Sequence, residues 1–305
     1  MKSLLGIGEC MLELSSVHDN LWQQNFAGDV FNTLWYAKAI AADSKSINFF
    51  TAIGDDQSSE EMINFIKSSG VACSDIPRIK NGVPGLYRIH LDGAERSFSY
   101  WRDSSAAKQF MRNPELLWSQ VNKADIVYLS GITMAILPDD DAEALIDGLR
   151  SALKPGAIIA FDPNIRPRLW ASEERMKDII TRTAEISDLV LPSFEDEQKT
   201  FNDESPLETA KRYQSLGVKQ IVVKDAENET LFVEGDRKEY FPVKQVEGII
   251  DTTAAGDSFN GAYFAEYMES GDISKAISLA QKCAGTVICE KGALIPFETI
   301  RTNIL

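Results

Sequence analysis

A chain of 305 residues that is 44% apolar and 25% charged can bury a large core and lies outside the disordered and low-complexity classes. Its 46 acids against 31 bases give a net charge of −15, spread along the chain, which excludes long-range attraction to nucleic acid and obliges an anionic ligand to find local basic groups. No run of about 18 apolar residues reads as a leader or a membrane span, and the four cysteines lack CxxC spacing, so no membrane contact and a reducing, cytoplasmic location are expected.

Residues 4–7 form the first apolar, β-rich run, interrupted by Gly6, Gly8 and Glu9. The glycines do not predict a dinucleotide loop, because the third glycine position is Met11 and Glu9 stands where a pyrophosphate would approach. Residues 47–53, 126–130, 157–161, 189–191 and 220–224 repeat the strand signature, with helical periodicity between them, clearest at 139–153 and 205–216. That alternation predicts an α/β protein, a mostly parallel sheet covered by helices on both faces. Residues 86–101 break the rhythm, since two alternating runs flank Asp92-Gly93-Ala94-Glu95, the pattern of a hairpin. Lying between two α/β units, the hairpin is expected outside the main sheet as part of a small β lid over its C-terminal edge. Its strands fall within about 9–16 and 86–102, inserted in one domain spanning 1–305.

The most informative segment follows: Asp251-Thr-Thr-Ala254-Ala255-Gly256-Asp257-Ser-Phe-Asn-Gly-Ala-Tyr263, where small residues open a helical pattern running to about Ser270. The first amides of a helix lack internal partners and carry the positive end of its dipole, so Ala254, Ala255 and Gly256 suit a phosphate. Asp257 there fits a carboxylate that holds a hydroxyl in line and accepts its proton. On the residues alone, a loop with an aspartate cap fits equally well. Two histidines far apart in sequence predict no zinc site, and no direct protein ligand to a metal is assigned.

Asp251-Thr-Thr-Ala-Ala-Gly-Asp-Ser-Phe resembles the C-terminal signature of the ribokinase-like sugar kinases, the PfkB family, and the likeness extends over nearly the whole chain. It implies a ribokinase-like fold, phosphoryl transfer from ATP with Mg2+ to a sugar hydroxyl, Asp257 as catalytic base and an anion hole of amides at 254–257. Gly28-Asp29-x-x-Asn32 is similar to the family's sugar-binding turn, which makes Gly28, Asp29 and Asn32 substrate contacts. The segments 8–14, 100–106 and 162–170 resemble the branch that phosphorylates 2-dehydro-3-deoxygluconate.

Such a sugar acid carries a carboxylate, which bidentate donors such as Arg102 and Arg166 would bind. The resemblance adds Tyr87 and Tyr100, although hairpin packing explains tyrosines there too, as a surface ion pair explains the arginines. Fructose, ribose or the galactonate epimer remain alternative substrates, and a catalytically silent sugar-binding protein a remoter one. On the nucleotide side the resemblance implies Asn164, Ser193, Lys224, Ala254, Gly256 and Gln281. Ala226 replaces a usual glycine after Lys224, and Ser193-Phe-Glu-Asp196 shortens an Asn-x-x-Glu motif, so that magnesium would be met through water. The resemblance also implies a homo-oligomer through the lid.

Overall fold

The computed structural model describes residues 2–18, 21–92 and 95–304. In chain order these form β1 (Ser3–Ile7), β2 (Met11–His18), β3 (Leu21–Ala27), α1 (Asp29–Ile40), β4 (Ser46–Phe50), α2 (Gln57–Ser68), β5 (Leu86–Asp92) and β6 (Glu95–Trp101). A 3-10 turn at Ala106–Arg112 leads to α3 (Pro114–Val121), β7 (Ile126–Ser130), α4 (Gly131–Ile136), α5 (Asp139–Ala152) and β8 (Ile158–Asp162). A second at Pro167–Leu169 precedes α6 (Glu173–Glu185), β9 (Leu189–Val190), α7 (Phe194–Phe201), α8 (Pro206–Ser215) and β10 (Gln220–Asp225). The chain finishes with β11 (Glu229–Glu234), β12 (Arg237–Pro242), α9 (Ala255–Ser270), α10 (Ile273–Val287) and α11 (Phe297–Ile304).

The large sheet has the order β12-β11-β10-β9-β8-β7-β1-β4. Its strands from β10 to β4 are parallel, and β11 and β12 add an antiparallel edge. The parallel strands read as unbroken apolar runs because both faces are covered. In β7, Ile126 and Tyr128 join the core beneath α1, α9 and α10, whereas Val127 and Leu129 join the core beneath α5 and α6. Helix α9 is buried at every residue from 258 to 265. Gly261 makes this possible: a Cβ there would stand 2.4 Å from the Thr33 carbonyl oxygen and 2.7 Å from Tyr36 Cβ on α1.

A second sheet has the order β3-β2-β5-β6. The hairpin expected at 86–101 is β5 and β6 in antiparallel register, and its turn at 93–94 lies outside the described residues. Strands β3, β11 and β12 have no counterpart in the sequence reading: β3 and β12 expose most of their residues, which breaks the apolar run that reveals a buried strand, whereas β11 is buried from Thr230 to Val233 and its short apolar run Leu231-Phe232-Val233 was passed over. Met11, Ala27, Tyr87 and Ile89 pack this sheet against Ala254, Ala293 and Leu294, which seats it over the start of α9. Among the described residues no helix is long and apolar enough to cross a membrane.

Candidate active site

The carboxyl ends of β1, β7, β8 and β10 meet the N-termini of α1 and α9 beneath the small sheet, the place where open α/β sheets bind ligands. Asp257 is the third residue of α9. The turn before it is held by Asp251, whose Oδ1 accepts the Thr253 N–H at 2.9 Å and whose Oδ2 accepts the Gly292 N–H at 2.7 Å. Ala254 caps the helix with φ 61°, a left-handed conformation unusual for a residue with a Cβ, and no side chain caps the first turn. The Ala255 N–H bonds the Thr252 carbonyl at 3.2 Å, so it is already engaged among the amides at 254–257.

Asn32 donates from Nδ2 to Asp257 Oδ2 at 2.8 Å and accepts the Gly28 N–H at 3.2 Å. Asn164, at φ 34°, donates to Asp29 Oδ2 at 2.9 Å. Gly28 is required sterically: a Cβ there would meet the Glu9 carbonyl oxygen at 2.1 Å. Desolvation, and then the neighbouring Asp29 carboxylate, push the Asp257 carboxyl up to about 7, against the Asn32 hydrogen bond and the Lys224 charge. A carboxylate poised near neutrality is suited to take a proton from a sugar hydroxyl.

Lys224 lies beside the start of α9, its Nζ 3.7 Å from where a Gly256 Cβ would stand. It donates to Asp162 Oδ2 at 2.9 Å and to Asn260 Oδ1 at 3.2 Å, while Asn260 donates to the same Asp162 oxygen at 2.6 Å and to the Tyr128 hydroxyl at 3.2 Å. This buried network adds an oriented positive charge to the helix dipole. Asp162 and Asn260 carried no role in the sequence reading. Asn260 stands three residues after Asp257, one turn along the same helix face, and that spacing was the available signal.

Under the lid, Arg102 is buried and pairs with Glu9, which also accepts from Ser105 Oγ. The Tyr87 hydroxyl donates to buried Glu13, which accepts from Asn25 as well at 3.3 Å. Tyr100 is 51% exposed, its ring centroid 6.0 Å from that of Tyr87. Glu9 and Glu13 were not singled out for chemistry, although an acid in an apolar, strand-like stretch signals a buried partner. Arg166 sits at the rim, bonded to Asp196 at 3.2 Å, and Arg168 is exposed beside it.

Ser193 opens α7 and bridges Lys224 in the sheet, with no cap bond from its hydroxyl. Ala226 takes φ 39°, so the loop keeps the left-handed turn that a glycine would supply. The Gln281 amide bonds Thr230 Oγ1 at 3.1 Å and the Phe241 carbonyl at 2.9 Å, tying α10 to the antiparallel edge. Burial pushes the Cys283 thiol up to about 12, as fits a packed helix face. His90 lies 2.9 Å from Ser99 Oγ, and the His18 side chain lies outside the described residues. The structure therefore gathers Gly28, Asp29, Asn32, Asn164, Lys224, Gly256 and Asp257 at one place. Tyr87 and Arg102 lie beneath the lid with carboxylate partners of their own.

A parallel sheet with a lid, and a helix start holding a buffered carboxylate beside a lysine, define a phosphotransferase-type cleft. Residues 1–300 match the pfkB family of carbohydrate kinases, and the chain belongs to that family. It is 33% identical over 301 residues to a 2-dehydro-3-deoxygluconokinase of Haemophilus influenzae, covering 97% of this chain and 96% of that one. With the protein of the same name from Dickeya dadantii it is 34% identical over 306 residues, 98% of each. A ribokinase-type structure from E. coli in complex with ATP and Mg2+ superposes with a TM-score of 0.84, covering 100% of this chain and 99% of that one at 17% identity, a likeness of fold.

Proposed function

We propose that this sugar kinase transfers the γ-phosphoryl group of ATP to the 6-hydroxyl of 2-dehydro-3-deoxy-D-gluconate, giving the 6-phosphate and ADP. The observation that carries the substrate is the near-full-length match, at 33–34% identity, to relatives named for this activity. Asp257 receives the hydroxyl proton, and Asp29 and Asn32 hold neighbouring hydroxyls. The amides at 254, 256 and 257 and the Lys224 ammonium stabilise charge on the transferred group, where positioning and electrostatics supply most of the catalysis. Arg102 and Arg166, with Tyr87 and Tyr100, take the carboxylate end of the sugar.

ATP and Mg2+ come to this reading from the family and from the E. coli neighbour. Asp196 is the carboxylate that would meet such an ion through water, magnesium taking its other oxygens from phosphate and solvent; it is bonded to Arg166 at 3.2 Å, and among the described residues no cluster of three acidic, histidine or cysteine ligands stands ready to hold a metal directly. The bound ion would neutralise phosphate charge during transfer. The exposed apolar lid residues support self-association through the lid.

One observation favours a second reading. Arg102 and Arg166 each already face a carboxylate, Glu9 and Asp196, so their charge is partly answered before a sugar arrives and a neutral sugar would lose less here. Phosphorus NMR of the product from MgATP and 2-dehydro-3-deoxygluconate separates the two. The sugar-acid reading expects a phosphomonoester on C6; absence of product with this substrate, alongside product from fructose, contradicts it.

A further inference from the structure

Four chain crossings join the small sheet to the large one, at residues 8–11, 27–29, 83–86 and 101–106, and all of them meet at Glu9. The Glu9 carbonyl oxygen blocks any Cβ on Gly28, and its Oε1 would lie 2.7 Å from a Cβ on Gly85. Its carboxylate accepts from Arg102 and from Ser105 in the fourth crossing. Backbone bonds tie the crossings to one another, Leu12 N–H to the Gly85 carbonyl at 2.8 Å and Ala106 N–H to the Val83 carbonyl at 2.9 Å.

Glu9 is 2% exposed, and a buried ion pair is a poor way to gain stability compared with apolar packing. Its value is directional: Ser105 holds Oε1 while Oε2 accepts from Arg102 Nη2, which sets where the guanidinium stands. Arg102 Nε is buried and has no hydrogen-bond partner, an unanswered donor on the same group that a ligand reaches only if the side chain or the lid shifts.

We propose that Glu9 is a positioning residue: it seats the lid and holds the Arg102 guanidinium where it meets the carboxylate of the sugar acid. The inference rests on the sugar-acid reading of the site. It makes acid recognition and lid placement properties of one contact.

The test compares Glu9→Gln and Gly85→Ala, each alone and in an Arg102→Ala background, using MgATP and 2-dehydro-3-deoxygluconate. Gly85→Ala uncovers no buried charge and crowds Oε1, the oxygen that accepts from Ser105, most closely at 2.7 Å, against 3.0 Å for Met11 Cγ and 3.3 Å for Arg102 Cβ, so it carries the test should Glu9→Gln fail to fold. The expected result is a KM for the sugar acid raised about 10- to 100-fold. The KM for ATP and kcat should stay within about threefold. In the Arg102→Ala background neither substitution should raise the sugar KM further. An unchanged sugar KM, an equal rise in both KM values, or full additivity with Arg102→Ala would each overturn the proposal while leaving the substrate assignment standing. A wild-type enzyme that does not prefer the sugar acid over neutral sugars would overturn both.

Discussion

Among single residues, Asp257 is the one on which phosphoryl transfer depends most. Asp257→Asn keeps the shape and the Asn32 neighbour but cannot accept a proton, so kcat should fall by at least about 100-fold while the sugar KM moves only a few-fold. Steady-state kinetics with a coupled ADP readout check this. Because desolvation and Asp29 raise the Asp257 carboxyl to about 7, the base is lost as pH falls through neutrality, and the acid limb of kcat/KM should lie well above the ordinary carboxylate range. Asp29→Asn removes the like charge and should move that limb to lower pH; a limb that stays fixed or moves upward contradicts the arrangement. Asp257 was singled out through the resemblance of its motif, since on the residues alone a loop with an aspartate cap fits equally well. Lys224 was assigned to the nucleotide by resemblance; the spacing of Asn260 from Asp257 marked its helix face, but its pairing with Lys224 and Asp162 was hidden, since only the fold brings β10, β8 and α9 together.

At the scale of elements, the site depends on how closely α1 approaches α9, the one carrying Asp29 and Asn32 and the other Asp257. Gly261→Ala would drive a methyl group into the Thr33 carbonyl and Tyr36. The expected cost is about 1–3 kcal/mol in urea unfolding, with a fall in kcat, because a helix displaced by a fraction of an ångström moves the base from its hydroxyl. Unchanged stability would show that α1 moves aside without strain. The parallel strands were readable because burial on both faces makes them continuously apolar, and α9 because its motif announces its start. The strands β3 and β12 were not, for the opposite reason: as sheet edges they expose most of their residues, and their order comes from ladder hydrogen bonds that leave no pattern in the chain. Ala226 shows a related limit, because an alanine in a left-handed turn is visible only in the backbone.

At the scale of the whole molecule, the small sheet presents Leu21, Trp22, Tyr100 and Trp101 to solvent, with Trp101 58% exposed. Edge strands with apolar side chains invite a second copy, so sedimentation velocity at micromolar concentration should show a dimer or larger species, and Trp101→Glu should shift it toward the monomer. A wild-type monomer across that range contradicts lid pairing. The central claim, that the cleft beneath this lid selects a sugar acid, is tested most directly by kcat/KM from ADP release with MgATP over 2-dehydro-3-deoxygluconate, its galactonate epimer, gluconate, fructose and ribose. The account predicts selective turnover of the two keto-deoxy acids, and turnover that favours fructose or ribose would contradict it.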